Sequence, residues 1–257
     1  MREWCILKEF RFMINRYKIV IQYDGSNFLG FQSQKDPNTI QSNIEKSLSF
    51  LNNNNEIKIV GASRTDSGVH ALGQVAHFDL NTDLDNKSIK NAINARLPHA
   101  IQIISVENVS ENFHSRYDAN KKEYIYQCTL DNSPLLKSNY WFVDNIDIDM
   151  LNELSTLLCG SHDFLSFAKF NPEKENTMCK IFVSKWILED KKLSYIVEGD
   201  RFLHHMVRYL VGTMIKCAQN KINKDDFKVF LDKPIKDAKV FKAPGNGLIL
   251  NKIYYEN

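Results

Sequence analysis

The N-terminal part of the chain alternates between runs with a period of two and runs with helical spacing of apolar residues. Residues 17–23 have the alternation of a β-strand, and the Asp-Gly-Ser-Asn segment that follows is typical of a turn. From Thr39 the apolar side chains recur three or four positions apart, with Asn38 and Gln41 placed for a capping box. A helix is therefore predicted here, ending in the asparagine run of residues 52–55.

Two further strands are predicted on either side of a polar loop. Residues 57–60 and 74–80 are rich in β-branched or aromatic side chains, whereas residues 63–73 between them are mostly small or polar. A second helix is predicted for residues 85–97, where a proline follows, and another strand for residues 101–109. The most polar loop of the chain is thus expected to be held between two strands.

The order of elements recurs in the second part of the chain. The patterns predict a strand, a helix, two strands and a helix with a broad apolar face, at residues 124–130, 148–158, 181–188, 193–197 and 203–218. Strands and helices do not alternate regularly, which favours an α+β fold with mostly antiparallel sheets and flanking helices. Two similar halves are expected at residues 17–118 and 119–257, after an N-terminal arm of residues 1–16. The active-site cleft should lie between the halves.

Composition changes this interpretation little. The 257 residues are 43% hydrophobic and 25% charged, which is ordinary for a globular protein and argues against fibrous and disordered classes. The formal net charge of +2 is too small to indicate a nucleic-acid partner by itself. The five cysteines are scattered without a Cys-x-x-Cys pair, so a reduced, cytoplasmic protein is expected. Apolar runs fall short of the roughly 20 residues of a membrane-spanning helix, so no membrane partner is expected.

The polar loop has the greatest density of reactive side chains in the chain. The segment Ser63-Arg-Thr-Asp-Ser-Gly-Val-His70 combines hydroxyls, a cation, a carboxylate and a glycine. Its carboxylate, Asp66, could act as a nucleophile, a general base or a metal ligand. It could equally start a turn by accepting hydrogen bonds from backbone amides near Gly68. The residues by themselves leave both interpretations open.

The sequence does not favour a metal site. His204 and His205 are adjacent, and neighbouring side chains on a helix point about 100° apart, so the two should not share one metal. No second carboxylate or histidine lies at ligand spacing beside Asp66 in the sequence. A hydrolase that binds metal through this loop is therefore disfavoured, and no cofactor is expected.

Long stretches of the chain resemble one enzyme family. The segment Gly61-Ala-Ser-Arg-Thr-Asp-Ser-Gly-Val-His-Ala71, continued to Phe78, is similar to the signature of the tRNA pseudouridine synthase A family. Further matching segments, in order, are Tyr23-Asp-Gly-Ser-Asn-Phe-Leu-Gly-Phe-Gln32, Phe113-His-Ser-Arg-Tyr117, Lys122-Glu-Tyr-Ile-Tyr126, Gly160-Ser-His-Asp-Phe-Leu-Ser-Phe167, Phe202-Leu-His-His-Met-Val-Arg208 and Gly247-Leu-Ile-Leu250. The resemblance spans residues 17–255, although residues 170–180 match only at their end.

The resemblance implies an isomerase that converts uridine to pseudouridine in the anticodon stem-loop of transfer RNA, at positions 38–40. Asp66 would be the nucleophile that attacks the flipped nucleotide. Arg64 would help to displace the target base and fill its place. Tyr124 would pack against the uracil and could take a proton late in the reaction. Arg208 would pair with Asp66 and keep it ionised.

These groups also have ordinary structural explanations. Arg64 could form a surface salt bridge, Tyr124 could be a core aromatic, and Arg208 could be solvated beside its helix. Arg116 and Lys122 lie in matching segments and are expected to bind the RNA substrate together with Tyr124. The resemblance also implies a homodimer without a cofactor. A catalytically silent RNA-binding protein is the alternative from another class, and the intact nucleophile, arginine and tyrosine argue against it.

Overall fold

The computed structural model of the protein describes residues 15–170 and 176–256. Within them the strands are β1 (Asn15–Tyr23), β2 (Val60–Gly61), β3 (His70–Leu80), β4 (Ile101–Val109), β5 (Ala119–Thr129), β6 (Trp141–Phe142), β7 (Gly160–Asp163), β8 (Met178–Glu189), β9 (Lys192–Gly199) and β10 (Leu248–Tyr255). The α-helices are α1 (Ile40–Ser49), α2 (Asn86–Asn94), α3 (Ile148–Thr156), α4 (Met206–Ala218) and α5 (Lys224–Asp232). Most of the arm predicted for residues 1–16 lies outside the described residues.

One sheet runs through both predicted halves of the chain. Its order is β4-β1-β3-β10-β5-β9-β8-β7, with β2 added to β3 and β6 added to β5. The pairs β10/β3 and β5/β6 are parallel, and every other pair is antiparallel. The prediction of an α+β fold with mostly antiparallel pairing is confirmed. Because β10 lies between β3 and β5, the last strand of the chain joins the two parts of the sheet.

The first helix shows how the apolar pattern produces packing. Ile40, Ile44 and Leu48 of α1 are fully buried, as their spacing predicts. The predicted capping box is wrong, because the N-cap is Thr39, whose hydroxyl accepts the Ser42 backbone N–H at 3.2 Å. The side chain of the residue before it, which the capping box would have used, instead donates to a carbonyl oxygen in the preceding turn.

Several elements differ from the predicted pattern for identifiable reasons. The strand expected at residues 57–60 pairs only at its end, in β2. Strand β10 was not predicted, because the register shifts between Leu250 and Lys252 and interrupts the period of two. Helix α5 was not predicted either, since it buries only Phe227 and Leu231. In the part of the chain that the structure describes, no helix is both long and apolar enough to cross a membrane.

Candidate active site

A single large cleft brings the predicted site residues together. Its volume is about 1140 Å³, which is ample for a nucleotide. Residues from both predicted halves of the chain line it. All six residues predicted from the sequence line it: Arg64, Asp66, Arg116, Lys122, Tyr124 and Arg208. The cleft therefore lies where the sequence led us to expect the site.

The loop that carries Asp66 is fixed by buried polar side chains. Gln74 of β3 is fully buried, and its amide accepts the Ser63 N–H at 3.2 Å and donates to the Ser63 carbonyl at 2.7 Å. Two residues further on, the Thr65 hydroxyl is 2.7 Å from the hydroxyl of Tyr23 in β1. A buried polar group left without a partner would destabilise the fold, so these paired groups hold the loop in one conformation.

The loop contains the turn that was the alternative explanation for Asp66. The Asp66 carbonyl accepts the Val69 N–H at 3.2 Å, and Gly68 has a φ of +76°, which this kind of turn requires at its third position. The turn therefore uses the backbone of Asp66. Its carboxylate is directed to His205 and Arg208 instead, so the turn leaves the side chain available for another role.

The carboxylate of Asp66 accepts two hydrogen bonds on one oxygen. Oδ2 is 2.6 Å from Nδ1 of His205 and 2.9 Å from a terminal guanidinium nitrogen of Arg208. The three side chains are 19%, 13% and 12% exposed respectively, so water screens their interaction only weakly. Burial by itself raises the pKa of Asp66, but the hydrogen bonds and charges of His205 and Arg208 outweigh it and lower that pKa to about 2. The group is ionised at neutral pH.

Arg208 is itself held in place by the backbone. Its Nε donates to the Ala243 carbonyl at 2.8 Å, and the Ala243 N–H donates to the Arg208 carbonyl at 3.0 Å. The guanidinium therefore bridges the segment before β10 and the carboxylate of Asp66. This is the pairing with Asp66 that the resemblance implied, and the alternative of a solvated arginine is not what the structure shows.

His205 was missed by the sequence reasoning. It precedes α4 in a left-handed conformation, with φ of +65°, and this conformation turns its ring toward Asp66. Helical spacing could not have found it, because His205 is not part of the helix. The sequence reasoning extended the helix back to residue 203 and so assigned the histidine a helical direction.

The prediction that the adjacent histidines diverge is wrong. Because α4 begins only at Met206, the rings of His204 and His205 lie 3.9 Å apart, and His204 Nε2 is 3.6 Å from Oδ1 of Asp66. One ligand atom from each of the three residues lies within 4.8 Å of the others. Two imidazoles and a carboxylate can hold a divalent cation. Here, however, the carboxylate already pairs with Arg208, whose positive charge a metal ion would have to overcome.

Tyr124 lies deep in the cleft on β5. Its hydroxyl is 2.8 Å from the Ser63 hydroxyl, and its ring packs edge-to-face on Phe202 with centroids 5.1 Å apart. Burial is the main reason that the pKa of Tyr124 rises to about 12, and the negative charge of Asp66 acts in the same direction. The phenol is therefore protonated at neutral pH. It is a buried aromatic, as its strand position suggested, and it also lines the cleft.

The remaining cations differ in how firmly they are held. Arg64 is exposed in the cleft and forms no salt bridge among residues 15–170 and 176–256, so the surface ion pair considered above is not present. Lys122 is half-buried and donates to the Ala62 carbonyl at 2.9 Å. Burial, followed by the charges of Arg116 and Arg201, lowers the pKa of Lys122 to about 8. Arg116 is exposed and lies 5.8 Å from the centroid of the Tyr117 ring.

Comparison with known proteins shows which family the chain belongs to. The sequence profile described as tRNA pseudouridine synthase matches residues 19–118 and 154–256. The chain belongs to the tRNA pseudouridine synthase family. It is 39% identical to the tRNA pseudouridine synthase A of Streptococcus uberis, over 95% of this chain and 100% of that protein. Proteins of the same name from Phytoplasma mali and Ehrlichia chaffeensis are also 39% identical, and each alignment covers 93% of this chain and at least 98% of theirs.

Membership of the tRNA pseudouridine synthase family confirms the resemblance found in the sequence and the assignment of an isomerase. The relatives align with this chain over nearly their whole length. Four of the matching segments were used to predict roles. Each of them contributes at least one residue to the cleft. The residues predicted from these segments therefore meet in one cleft.

Proposed function

We propose that this chain converts uridine to pseudouridine in the anticodon stem-loop of transfer RNA, with Asp66 as the nucleophile. The observation that carries the proposal is the carboxylate of Asp66, which stays ionised at neutral pH and lies in a cleft large enough for a flipped nucleotide. Since Oδ2 is bonded to both His205 and Arg208, we assign the attack to Oδ1.

The reaction is an isomerisation and needs no redox partner. Oδ1 of Asp66 forms a bond to the nucleotide, the bond between N1 of uracil and C1′ of the ribose breaks, the base turns, and C5 forms the new bond to C1′. The bond to Asp66 breaks in a later step. The C5 proton is then lost and N1 gains a proton, so the product has the same atoms as the substrate. Asp66 is regenerated at the end. His205 and Arg208 stabilise the negative charge of Asp66 before the attack and again when the carboxylate is regenerated.

The other side chains are assigned to binding and orientation. The open position of Arg64 in the cleft suits a guanidinium that fills the place of the flipped base. Tyr124 is proposed to pack against the uracil, because its raised pKa makes it a poor base at neutral pH. Arg116 and Lys122 are proposed to bind RNA phosphates near the mouth of the cleft.

The substitution Asp66→Asn tests the nucleophile. Asparagine keeps the shape and volume of the side chain but removes the charge and the nucleophilic oxygen, so product formation should be lost while RNA binding is retained. Asp83→Asn makes the same chemical change on an exposed residue outside the cleft and should leave activity unchanged. Product is measured as release of tritium from RNA labelled at C5 of uridine. Comparable rates for Asp66→Asn and the native protein would refute the proposed role.

The cluster of Asp66, His204 and His205 supports one alternative, a metal-dependent hydrolase. The two functions differ in their response to chelators. Isomerisation by the carboxylate should survive prolonged treatment with a chelator, since the proposed steps use no metal. Activity that is lost with the chelator and restored by zinc would favour the hydrolase.

The choice of uridine and the assembly are also proposals. Family resemblance supports uridines at positions 38–40, a homodimer and a cytoplasmic location. Chemical mapping of pseudouridine in transfer RNA from cells with and without the gene tests the first, and unchanged signals in the anticodon arm would refute it. Light scattering of the purified protein tests the dimer.

A further inference from the structure

Tyr117 at the rim of the cleft has an unusual combination of exposure and rigidity. It is the only exposed residue among the ten tyrosines, with 76% of its surface accessible, and it lines the same cleft as Asp66. An aromatic ring left in water loses the stabilisation that burial would provide. Such a ring needs a structural or a functional explanation, and the contacts around it distinguish the two.

The ring of Tyr117 is supported from one side. It stacks on the imidazole of His114, with centroids 4.2 Å apart and planes 27° apart. The same imidazole accepts the backbone N–H groups of Arg116 and Tyr117 through Nδ1, at 3.2 and 3.1 Å. The backbone N–H of His114 in turn donates to the carboxylate of Asp118 at 2.8 Å. A short loop therefore fixes both the position and the tilt of the exposed ring.

The support continues into the core. His114 packs edge-to-face on His77 of β3, with centroids 5.0 Å apart. His77 is buried, and its Nδ1 accepts the N–H of Ser115 at 3.1 Å. Burial is the main reason that the pKa of His77 falls to about 4, so this ring is neutral near neutral pH. Tyr117 is thus the outermost of three rings, and the innermost, His77, belongs to β3.

We propose that Tyr117 is a stacking platform for an unpaired nucleobase of the RNA substrate. Stacking on aromatic side chains is the general way in which proteins hold unpaired bases, and a ring that is already fixed loses little entropy on binding. The neighbouring guanidinium of Arg116, 5.8 Å from the ring centroid, supplies a cation for the phosphate of the same nucleotide. The base bound here is a neighbour of the target, because the target itself must reach Asp66.

This inference rests on the proposed function, because it assumes that RNA enters this cleft. It adds a second base-binding position outside the catalytic pocket. The chemistry of the platform is tolerant of sequence, since every base has an aromatic face. It should therefore contribute to affinity for the anticodon arm and not to the chemical step.

Three substitutions separate stacking from other roles. Tyr117→Phe keeps the aromatic ring, Tyr117→Leu keeps apolar bulk without it, and Tyr117→Ala removes both. The dissociation constant for an unmodified transfer RNA transcript is measured by fluorescence anisotropy, with kcat and KM from tritium release. Leu and Ala should weaken binding on the order of 5- to 150-fold, whereas Phe should bind like the native protein. The value of kcat at saturating RNA should change little in all three.

The salt dependence gives an independent readout. Loss of a stacking contact removes no phosphate contact, so the slope of log affinity against log salt should be unchanged for Tyr117→Leu. Arg116→Gln should reduce the magnitude of that slope by about one. Native-like binding by Tyr117→Leu would overturn the inference, as would equal losses for Phe and Leu, which would point to the hydroxyl. If the native protein formed no pseudouridine, the proposed function would fail. If the native protein formed pseudouridine but Tyr117→Leu bound RNA normally, only the stacking inference would fail.

Discussion

The hydrogen bond from His205 to Asp66 makes a prediction that can be isolated by two substitutions. His205 has a φ of +65°, a conformation that glycine and asparagine tolerate better than other residues. In His205→Asn the amide nitrogen occupies nearly the position of Nδ1 and can still donate to Asp66. His205→Gly keeps the backbone conformation and removes the donor. The difference between these two variants therefore measures the hydrogen bond, and backbone strain largely cancels.

The expected size follows from the pKa of Asp66. That pKa is lowered from 3.8 to about 2 even though burial opposes the change, and the hydrogen bond from His205 is the largest lowering contribution. Since one pKa unit corresponds to about 1.4 kcal/mol, the ionised Asp66 contributes about 2 kcal/mol to the stability of the folded protein. Loss of the donor should raise the pKa of Asp66 by about one unit or more. His205→Gly should therefore be about 1 to 2 kcal/mol less stable than His205→Asn at pH 5.

The pH dependence is the sharper part of the test. Because the pKa of Asp66 is lower in the folded protein, its stabilisation is complete above the unfolded pKa of about 3.8. It is lost as pH falls through the folded pKa of about 2. The difference between the two variants, measured by urea unfolding, should shrink as pH falls from 5 to 3.

Repeating the pair in an Asp66→Asn background completes a double-mutant cycle. The difference between His205→Gly and His205→Asn should then shrink at all pH values, because no charge remains to be stabilised. A difference that is independent of pH, or unchanged in the Asp66→Asn background, would show that His205 stabilises the fold by another route. The same variants should also differ in kcat, by about tenfold, because the nucleophile loses one of its two restraints.

Two further predictions concern binding and packing. The pKa of Lys122 is lowered to about 8, first by burial, so its positive charge is lost as pH rises through that value. The KM for RNA should therefore rise between about pH 7 and 9 in the native protein and stay level in Lys122→Arg, and parallel profiles would contradict a phosphate contact. In α4, Gly212→Ala should destabilise the protein by at least about 2 kcal/mol in urea unfolding, although alanine is normally the better helix residue by about 1 kcal/mol. A methyl group there would lie 2.1 Å from the Phe241 carbonyl oxygen, and a stabilised variant would refute the close packing.

Some features of this protein were determined by local sequence. The apolar spacing in α1 predicted which side of that helix is buried, and the alternation in β1 predicted its strand. The segment around Asp66 was sufficient to recognise the resemblance to the family, because its distinctive residues follow one another in the chain. Where several local signals agree in this way, the sequence alone is enough.

Other features depended on contacts between distant segments. Asp66 meets His205 and Arg208 across separations of 139 and 142 residues, and no local pattern records which surfaces come together. The direction of His205 depended on where α4 begins, and that start is set by a left-handed residue for which helical periodicity gives no signal.

Strand β10 also depends on contacts between distant segments. A register shift interrupts the alternation in β10, and its strand was not predicted although the segment is rich in Ile and Tyr. Pairing with β3 on one side and β5 on the other forms that strand and closes the sheet behind the cleft. The sequence thus determined the family and the candidate nucleophile. The tertiary structure determined the environment that keeps Asp66 ionised, because the lowered pKa depends on a histidine and an arginine that only folding brings to it.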